Sequence, residues 1–343
     1  MSNSPSILET GPAEWRGEDV ADPEVWTERL TDAELRDLDS ALRHARATSD
    51  SLLDIGKDDF PLPVLGPRLA RIEKDLIDGR GFVLIRGLPR ARYDNDEMCL
   101  LYWGVGMHLG KPWPQNKKGH VLGDVTDQGK PAHDPTSRGN EIGGIAFPYH
   151  SDGSDLVGLM CLQVGKSGGT STVCNAVAIH NDLVRSRPEL AAALYAPQPY
   201  DFRGEQPEGG RPFYELPVFT DWERRLFVRY IRPYILASQR HSAAPRIAPL
   251  AEEAMQAVDR MTYEREYNVF MDFEPGDMQF VNNYHVLHAR TAYEDDRASG
   301  KVRHLKRLWL ETEVLASRPP YFQNNLSNDW NRKRVISRLD ARA

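Results

Sequence analysis

The segment Leu156-Val-Gly-Leu-Met-Cys-Leu-Gln-Val164 is an almost unbroken apolar run. It is far shorter than the roughly 20 residues a membrane helix needs. It reads instead as a central strand, covered on both faces. Such a strand needs partners, and strand signals dominate from about residue 119 onward. Segments 171–177, 212–219, 223–230, 267–273, 278–283 and 303–314 carry them. Thr220-Asp221-Trp222 is expected as a hairpin loop between the second and third. Helical stretches are expected at 178–195 and 247–262, and a turn at Glu274-Pro-Gly-Asp277. The N-terminal third reads as helical. Thr31 and Glu34 have capping-box spacing, followed by Leu35, Leu38 and Leu42. Leu69, Ile72, Leu76 and Ile77 form a second apolar face that ends at Gly79. A short buried strand at 81–85 and a third helix at 95–109 follow. Helices first, then many unevenly spaced strands, predict an α+β protein with a mainly β core: one β-sandwich or jelly roll buttressed by helices.

The composition of the 343 residues narrows the function classes. The net charge of −7 disfavours nucleic acid as a partner. Cys99, Cys161 and Cys174 are too few and too scattered for a disulfide framework or a zinc site. They fit a reducing compartment. The first 20 residues lack the basic and apolar regions of a signal peptide. The expectation is a cytoplasmic protein that does not engage membranes. A homo-oligomer is compatible with all of this.

The candidate chemistry starts from histidines. Two His and one carboxylate on one face of Fe(II) leave the other face open for O2 and a cosubstrate. An extended His-x-Asp supplies two of these ligands, because residues i and i+2 point the same way. The tripeptide alone is a weak signal. With 10 His and 50 acidic residues, chance gives about 1.5 His-x-acid matches. Two occur with Asp: His150-Ser-Asp152 and His180-Asn-Asp182. The second lies in a helical pattern, where i and i+2 diverge by about 200° and cannot grip one ion. Asp182 is expected to be a solvated surface carboxylate. His150 closes an extended segment just before the central strand, and Gly153 after it permits an unusual backbone. The third ligand comes from further along. His285 and His288 both qualify by local pattern. His304 alternates out of phase with Arg303 and Arg307 and faces away from them.

Arg303 and Arg307 share one face of a predicted strand. Their guanidinium forks match carboxylates. Either a dicarboxylate ligand or ion pairs with Glu311, Asp295 or Asp296 satisfies them. Gly168-Gly169-Thr170-Ser171-Thr172 has no following Lys and no clear helix start, so it is not a phosphate-binding loop. It reads as a tight turn into a strand.

Taken in order, several motifs resemble a known family. They are Phe147-Pro-Tyr-His150-Ser-Asp152, Gly168-Gly-Thr-Ser171, Pro275-Gly-Asp277, Asn283, His288-Ala-Arg290, and Arg303 with Arg307 before Leu308-Trp309-Leu310. The set is similar to the taurine dioxygenase and clavaminate synthase-like group of Fe(II)/2-oxoglutarate oxygenases, over roughly residues 81–314. The resemblance implies a double-stranded β-helix. It implies His150, Asp152 and His288 as metal ligands and 2-oxoglutarate and O2 as cosubstrates. Arg303 then grips the far carboxylate of 2-oxoglutarate, with Ser171, or its neighbour Thr172, on the same carboxylate. Arg307 lies near cosubstrate and substrate. The retained Asp152 disfavours halogenation, since halogenating relatives carry a small residue there. The reaction implied is hydrogen abstraction from a small molecule, amino-acid-like or carboxylate-bearing, with hydroxylation, desaturation or cyclisation as outcomes. Substrate contacts are sought at Gln115, Asn116, His120, Asp124 and Asn140, and Arg307 is the candidate for a substrate carboxylate. In this division, 1–80 is a helical segment packed on the core and 315–343 an Arg-rich tail. The rival readings are a cupin-like metal enzyme with non-redox chemistry and a binding protein that kept the fold without catalysis.

Overall fold

The computed structural model describes residues 5–319, apart from 117, 132, 133, 135, 136, 138, 140 and 207. Leu156–Gln163 lies inside a seven-stranded sheet, between Met278–Asn282 and His304–Glu311. Both neighbours run antiparallel to it. Phe82–Arg86 continues the sheet beyond Met278–Asn282. Leu122–Thr126 and Lys111–Pro112 pair with His304–Glu311 on the other side. A second, four-stranded antiparallel sheet has the order Asn268–Met271, Ser171–Asn175, Val286–Arg290, Phe147–His150.

The two sheets face each other. Phe82, Val157, Val281 and Trp309 from the large sheet meet Val173, Met271 and Val286 from the small one in a single apolar cluster. Each outer face is covered by helices. Val83, Met160, Phe280 and Leu308 bury against Asp32–Thr48, Gly66–Asp78 and Asn95–Met107 through Leu38, Leu69 and Trp103. Tyr149, Cys174 and Leu287 bury against Ala176–Ser186, Pro188–Tyr195 and Pro249–Thr262. The result is the expected jelly roll buttressed by helices. The alternation of side chains across each strand makes one face of each sheet sandwich core and the other helix seat.

The predicted N-terminal helices are present. The Thr31–Glu34 capping box closes reciprocally on the first of them. Four expectations need correction. Thr220-Asp221-Trp222 is strand, and the hairpin turns at Glu223-Arg224, both left-handed at φ 52° and 64°. Two consecutive positive φ values match the twist of a tight hairpin, but neither residue is Gly, Asn or Asp, so the turn leaves no sequence signal. The strand from Ser171 stops at Asn175, whose side chain caps the next helix. The helix expected over 178–195 is two, divided before Pro188. The N-terminal third also contributes a strand, Thr27–Arg29, parallel to Phe82–Arg86.

The helix Asn95–Met107 seats tightly because of glycine. A Cβ at Gly106 would lie 2.2 Å from Leu308 Cδ2, and one at Gly104 would lie 2.3 Å from the Phe60 ring. Phe60 is fully buried and has nowhere to turn. Gly104→Ala is therefore expected to reach the upper part of the roughly 1–3 kcal/mol range for overpacking. That exceeds the helix-propensity gain of about 1 kcal/mol. Chemical denaturation of the two proteins measures the difference.

Candidate metal centre and cosubstrate pocket

Phe147–His150 and Val286–Arg290 are adjacent antiparallel strands, in a register that sets His288 opposite His150. The two rings lie 4.2 Å apart between centroids. After His150 the chain leaves the sheet, and Asp152 returns toward the same point. Its Oδ2 is 3.8 Å from His288 Nε2. One ligand atom from each of the three residues lies within 4.8 Å of the others.

The backbone of this corner is pinned on both sides. Asp152 N–H donates to Asn283 Oδ1 at 3.0 Å. Asn283 Nδ2 donates to Ser154 O at 2.9 Å. Ser151 is fully buried and clasps Tyr230: its N–H donates to Tyr230 O, and its Oγ accepts the Tyr230 N–H. The Arg229 guanidinium donates to Ser151 O.

The electrostatics suit a divalent cation. Burial pushes both imidazoles toward their neutral form, and His288, which also faces His150, falls to about 3. His150 Nδ1 sits 2.9 Å from Pro148 O. A carbonyl only accepts, so Nδ1 carries the proton and Nε2 keeps its lone pair. Burial raises the Asp152 carboxyl, but the Arg307 charge and the two histidines outweigh it and hold it well below the usual carboxylate range. Neutral imidazoles and an ionised carboxylate are the forms that ligate a metal. Trp309 Nε1 donates to Asp152 Oδ2 at 2.9 Å, and Arg307 Nη1 lies 3.3 Å from the same oxygen. These contacts fix which way the carboxylate faces. Trp309→Phe is expected to lower Fe(II) affinity by roughly 10–100-fold with the fold intact, as read by anaerobic Fe(II) titration.

Odd positions along His304–Glu311 face the same cavity, as expected: Leu305, Arg307 and Trp309 line it with Arg303 just before them. Arg307 does not pair with Glu311, Asp295 or Asp296. It reaches Asp152, and its Nε donates to Gln115 Oε1 at 2.9 Å. Arg303 is 4% exposed and has no carboxylate within ion-pair distance among the described residues. Asp295 accepts its backbone N–H, not its guanidinium. Nη2 reaches Gly169 O at 3.3 Å, the ring of Tyr293 lies 5.3 Å away, and Nη1 is buried without a partner. Burial and the nearby Arg290 depress its pKa to about 10. Ser171 lines the same cavity, with Oγ donating to Gln279 Oε1 at 3.1 Å.

The placement of the other candidates follows from strand phase. Thr172 is one residue on, so it points to the outer face and bonds Tyr149 instead of lining the cavity. His285 is buried with Nε2 2.5 Å from Glu9 Oε2 and is not part of the His150, Asp152 and His288 group. His304 faces Asp124 at 2.6 Å, out of the cavity as predicted. His180 is a fully buried helical residue bonded to Asn181 and Tyr195. Asp182 is partly exposed but paired: Arg16 grips it at 2.6 Å, with Tyr267 and Arg185. Gln115 and Asn116 line the cavity, whereas His120 bonds Asn116 at its rim and Asp124 is held by His304 and Lys306. Asn140 and most of the C-terminal tail lie outside the described residues. Sequence reasoning missed Arg229, Tyr214, Tyr234 and Glu205 on the cavity wall. They sit in and around short strands and, for Tyr234, in the short helix Arg232–Ser238, with no motif of their own.

The three residues could hold a divalent ion, and the buried, unpartnered Arg303 Nη1 could donate to a carboxylate oxygen. Together they define an iron oxygenase that takes a dicarboxylate cosubstrate. The chain belongs to the family described as taurine catabolism dioxygenase TauD, TfdA, whose model matches residues 44–309. It is an Fe(II)- and 2-oxoglutarate-dependent oxygenase. The chain is 30% identical to FR-33289 synthase of Streptomyces rubellomurinus over 307 residues, 89% of this chain and 90% of that one. It is 27% identical to the taurine hydroxylase-like protein SAT17 of Stachybotrys chartarum, over 89% of this chain and 80% of that one. In fold it is similar to asparagine oxygenase in complex with Fe(II), 2S,3S-3-hydroxyasparagine and succinate, at TM-score 0.63 and 17% identity, covering 84% of this chain and 94% of that one. It is also similar to the non-heme iron oxygenase OrfP with Fe, succinate and (3S)-hydroxy-L-Arg, at TM-score 0.61 and 18% identity, covering 83% and 94%. Among the described residues, no helix is long and apolar enough to cross a membrane.

Proposed function

We propose that this oxygenase removes hydrogen from a small, amino-acid-like or carboxylate-bearing substrate, with hydroxylation as the main outcome and desaturation or ring formation as variants. His150, Asp152 and His288 hold Fe(II). Arg303 and Ser171 hold the far carboxylate of 2-oxoglutarate, and Arg307 borders cosubstrate and metal. The iron, when bound with 2-oxoglutarate, supplies the O2 activation. The observation that carries this reading is the buried Arg303 guanidinium without an anion, on the cavity that the three ligands share.

The chain's own residues do the positioning. The Pro148 carbonyl sets the His150 tautomer. Trp309 and Arg307 aim Asp152. Gln115 braces Arg307 through its Oε1 and also donates to the Arg307 carbonyl. Leu159, Leu305 and Phe147 line the same space and limit water. An amino-acid-like substrate is supported by the cavity's mix of arginines, Glu205 and tyrosines. It is also supported by two fold relatives that hold hydroxylated amino acids. Residues 81–314 form the catalytic core in this reading, and the buried free Cys161 and Cys174 support a reducing, cytoplasmic setting.

Anaerobic addition of Fe(II) and 2-oxoglutarate is expected to give a weak visible charge-transfer band. Succinate release is then expected with some members of a panel of amino acids and small carboxylates. A folded protein without the band overturns the metal and cosubstrate assignment. A band with turnover only on uncharged, carboxylate-free compounds overturns the substrate class.

A further inference from the structure

Arg229 is a second buried arginine on the cavity wall, and it belongs to no motif. It is 7% exposed. Its Nη1 donates to Ser151 O, between the two proximal ligands. The Tyr214 hydroxyl accepts from the same guanidinium. Nε is buried without a partner. Among the described residues no carboxylate lies within ion-pair distance of it. Its carbonyl accepts the Tyr200 hydroxyl at 2.5 Å, and Tyr200 stacks on Tyr214 at 5.3 Å. The guanidinium is thus fixed by Ser151 O and Tyr214, with no carboxylate in ion-pair contact among the described residues.

Arg303 contacts Gly169 and Tyr293 and precedes Arg307 by four positions, about 13 Å of extended chain. Arg229 instead touches the corner that carries Asp152. Arg307 is already engaged by Asp152 and Gln115. The charge balance points the same way. Among the described residues, four arginines line the cavity against three carboxylates, and one of these, Asp201, is gripped by Arg240 and His241. Fe(II) and doubly charged 2-oxoglutarate cancel, so the loaded site keeps a positive surplus. A buried guanidinium with no anion in contact carries a desolvation penalty that an anionic ligand would offset. A rigid one facing a cavity is a built receptor for an oxyanion.

We propose that Arg229 is a specificity-determining residue that binds an anionic group of the substrate, a carboxylate, sulfonate or phosphonate, on the cavity wall beside Ser151. This rests on the Fe(II)/2-oxoglutarate reading above and adds to it where the substrate's charge lies. Arg229 takes the part that sequence reasoning gave to Arg307.

The test titrates acetate, methanesulfonate and methylphosphonate, with acetamide as the uncharged control, into the anaerobic enzyme loaded with Fe(II) and saturating 2-oxoglutarate. The anions are expected to shift the charge-transfer band, at concentrations at least tenfold below any response to acetamide. Arg229→Gln is expected to keep the band and lose the anion response. Arg229→Lys, which keeps a charge and a donor for Ser151 O, should restore part of it. A wild-type band indifferent to all three anions overturns the proposal, as does an unchanged response in Arg229→Gln. Loss of the band itself in both variants assigns Arg229 to the metal corner alone and also overturns it. Absence of the band in the wild-type protein would instead strike the underlying oxygenase reading.

Discussion

Arg303→Gln is expected to raise the KM for 2-oxoglutarate by about 10–150-fold, while the protein without ligand becomes no less stable. The first effect is the loss of a charge-assisted contact to a carboxylate, roughly 1.5–3 kcal/mol. The second follows from burial. Arg303 is 4% exposed, with Nη1 unpartnered and Arg290 as a like-charged neighbour. Removing a buried cation that lacks an anion removes a desolvation penalty. Thermal unfolding with and without 2-oxoglutarate separates the two. The wild-type protein gains about 2.7 kcal/mol at a hundredfold excess of ligand over Kd, and the variant at the same concentration gains little. A variant that is much less stable without ligand, yet still stabilised by 2-oxoglutarate as the wild type is, would make Arg303 a structural residue.

Asp152→Ala is expected to lower succinate formation by more than about 100-fold. Changes to residues that merely support metal ligands cost about 10–100-fold, and Asp152 is the proposed ligand, which Trp309 and Arg307 contact. The substitution also leaves those two donors facing an empty corner. Metal content after Fe(II) loading, measured beside succinate, shows whether the loss is in binding. A variant that retains one Fe(II) and turns over within tenfold of wild type would remove Asp152 from the ligand set.

Much of this site was legible because local rules act on near neighbours in the chain. The two-residue period of a strand put Arg303, Leu305, Arg307 and Trp309 on one face, and His304 on the other. The helical period removed His180 and Asp182 from contention. The capping box at Thr31 marked a helix start through bonds three residues apart. Where local chemistry was silent, the reading slipped. The Glu223-Arg224 turn uses two left-handed residues with no glycine to announce them.

By itself the sequence determined the strand-rich core, the His150–Asp152 pincer and the shared face of the two arginines, since each depends on residues a few positions apart. Resemblance, not pattern, preferred His288 to His285. In the tertiary structure the register between two strands sets His288 against His150, while His285 meets Glu9. Tertiary structure also chose Ser171 over Thr172 as the hydroxyl on the cavity, and it brought Arg229 to Ser151 across 78 positions of chain. Which strand lies beside which, and in what register, depends on burying the faces of both sheets at once. No local window of sequence contains that constraint.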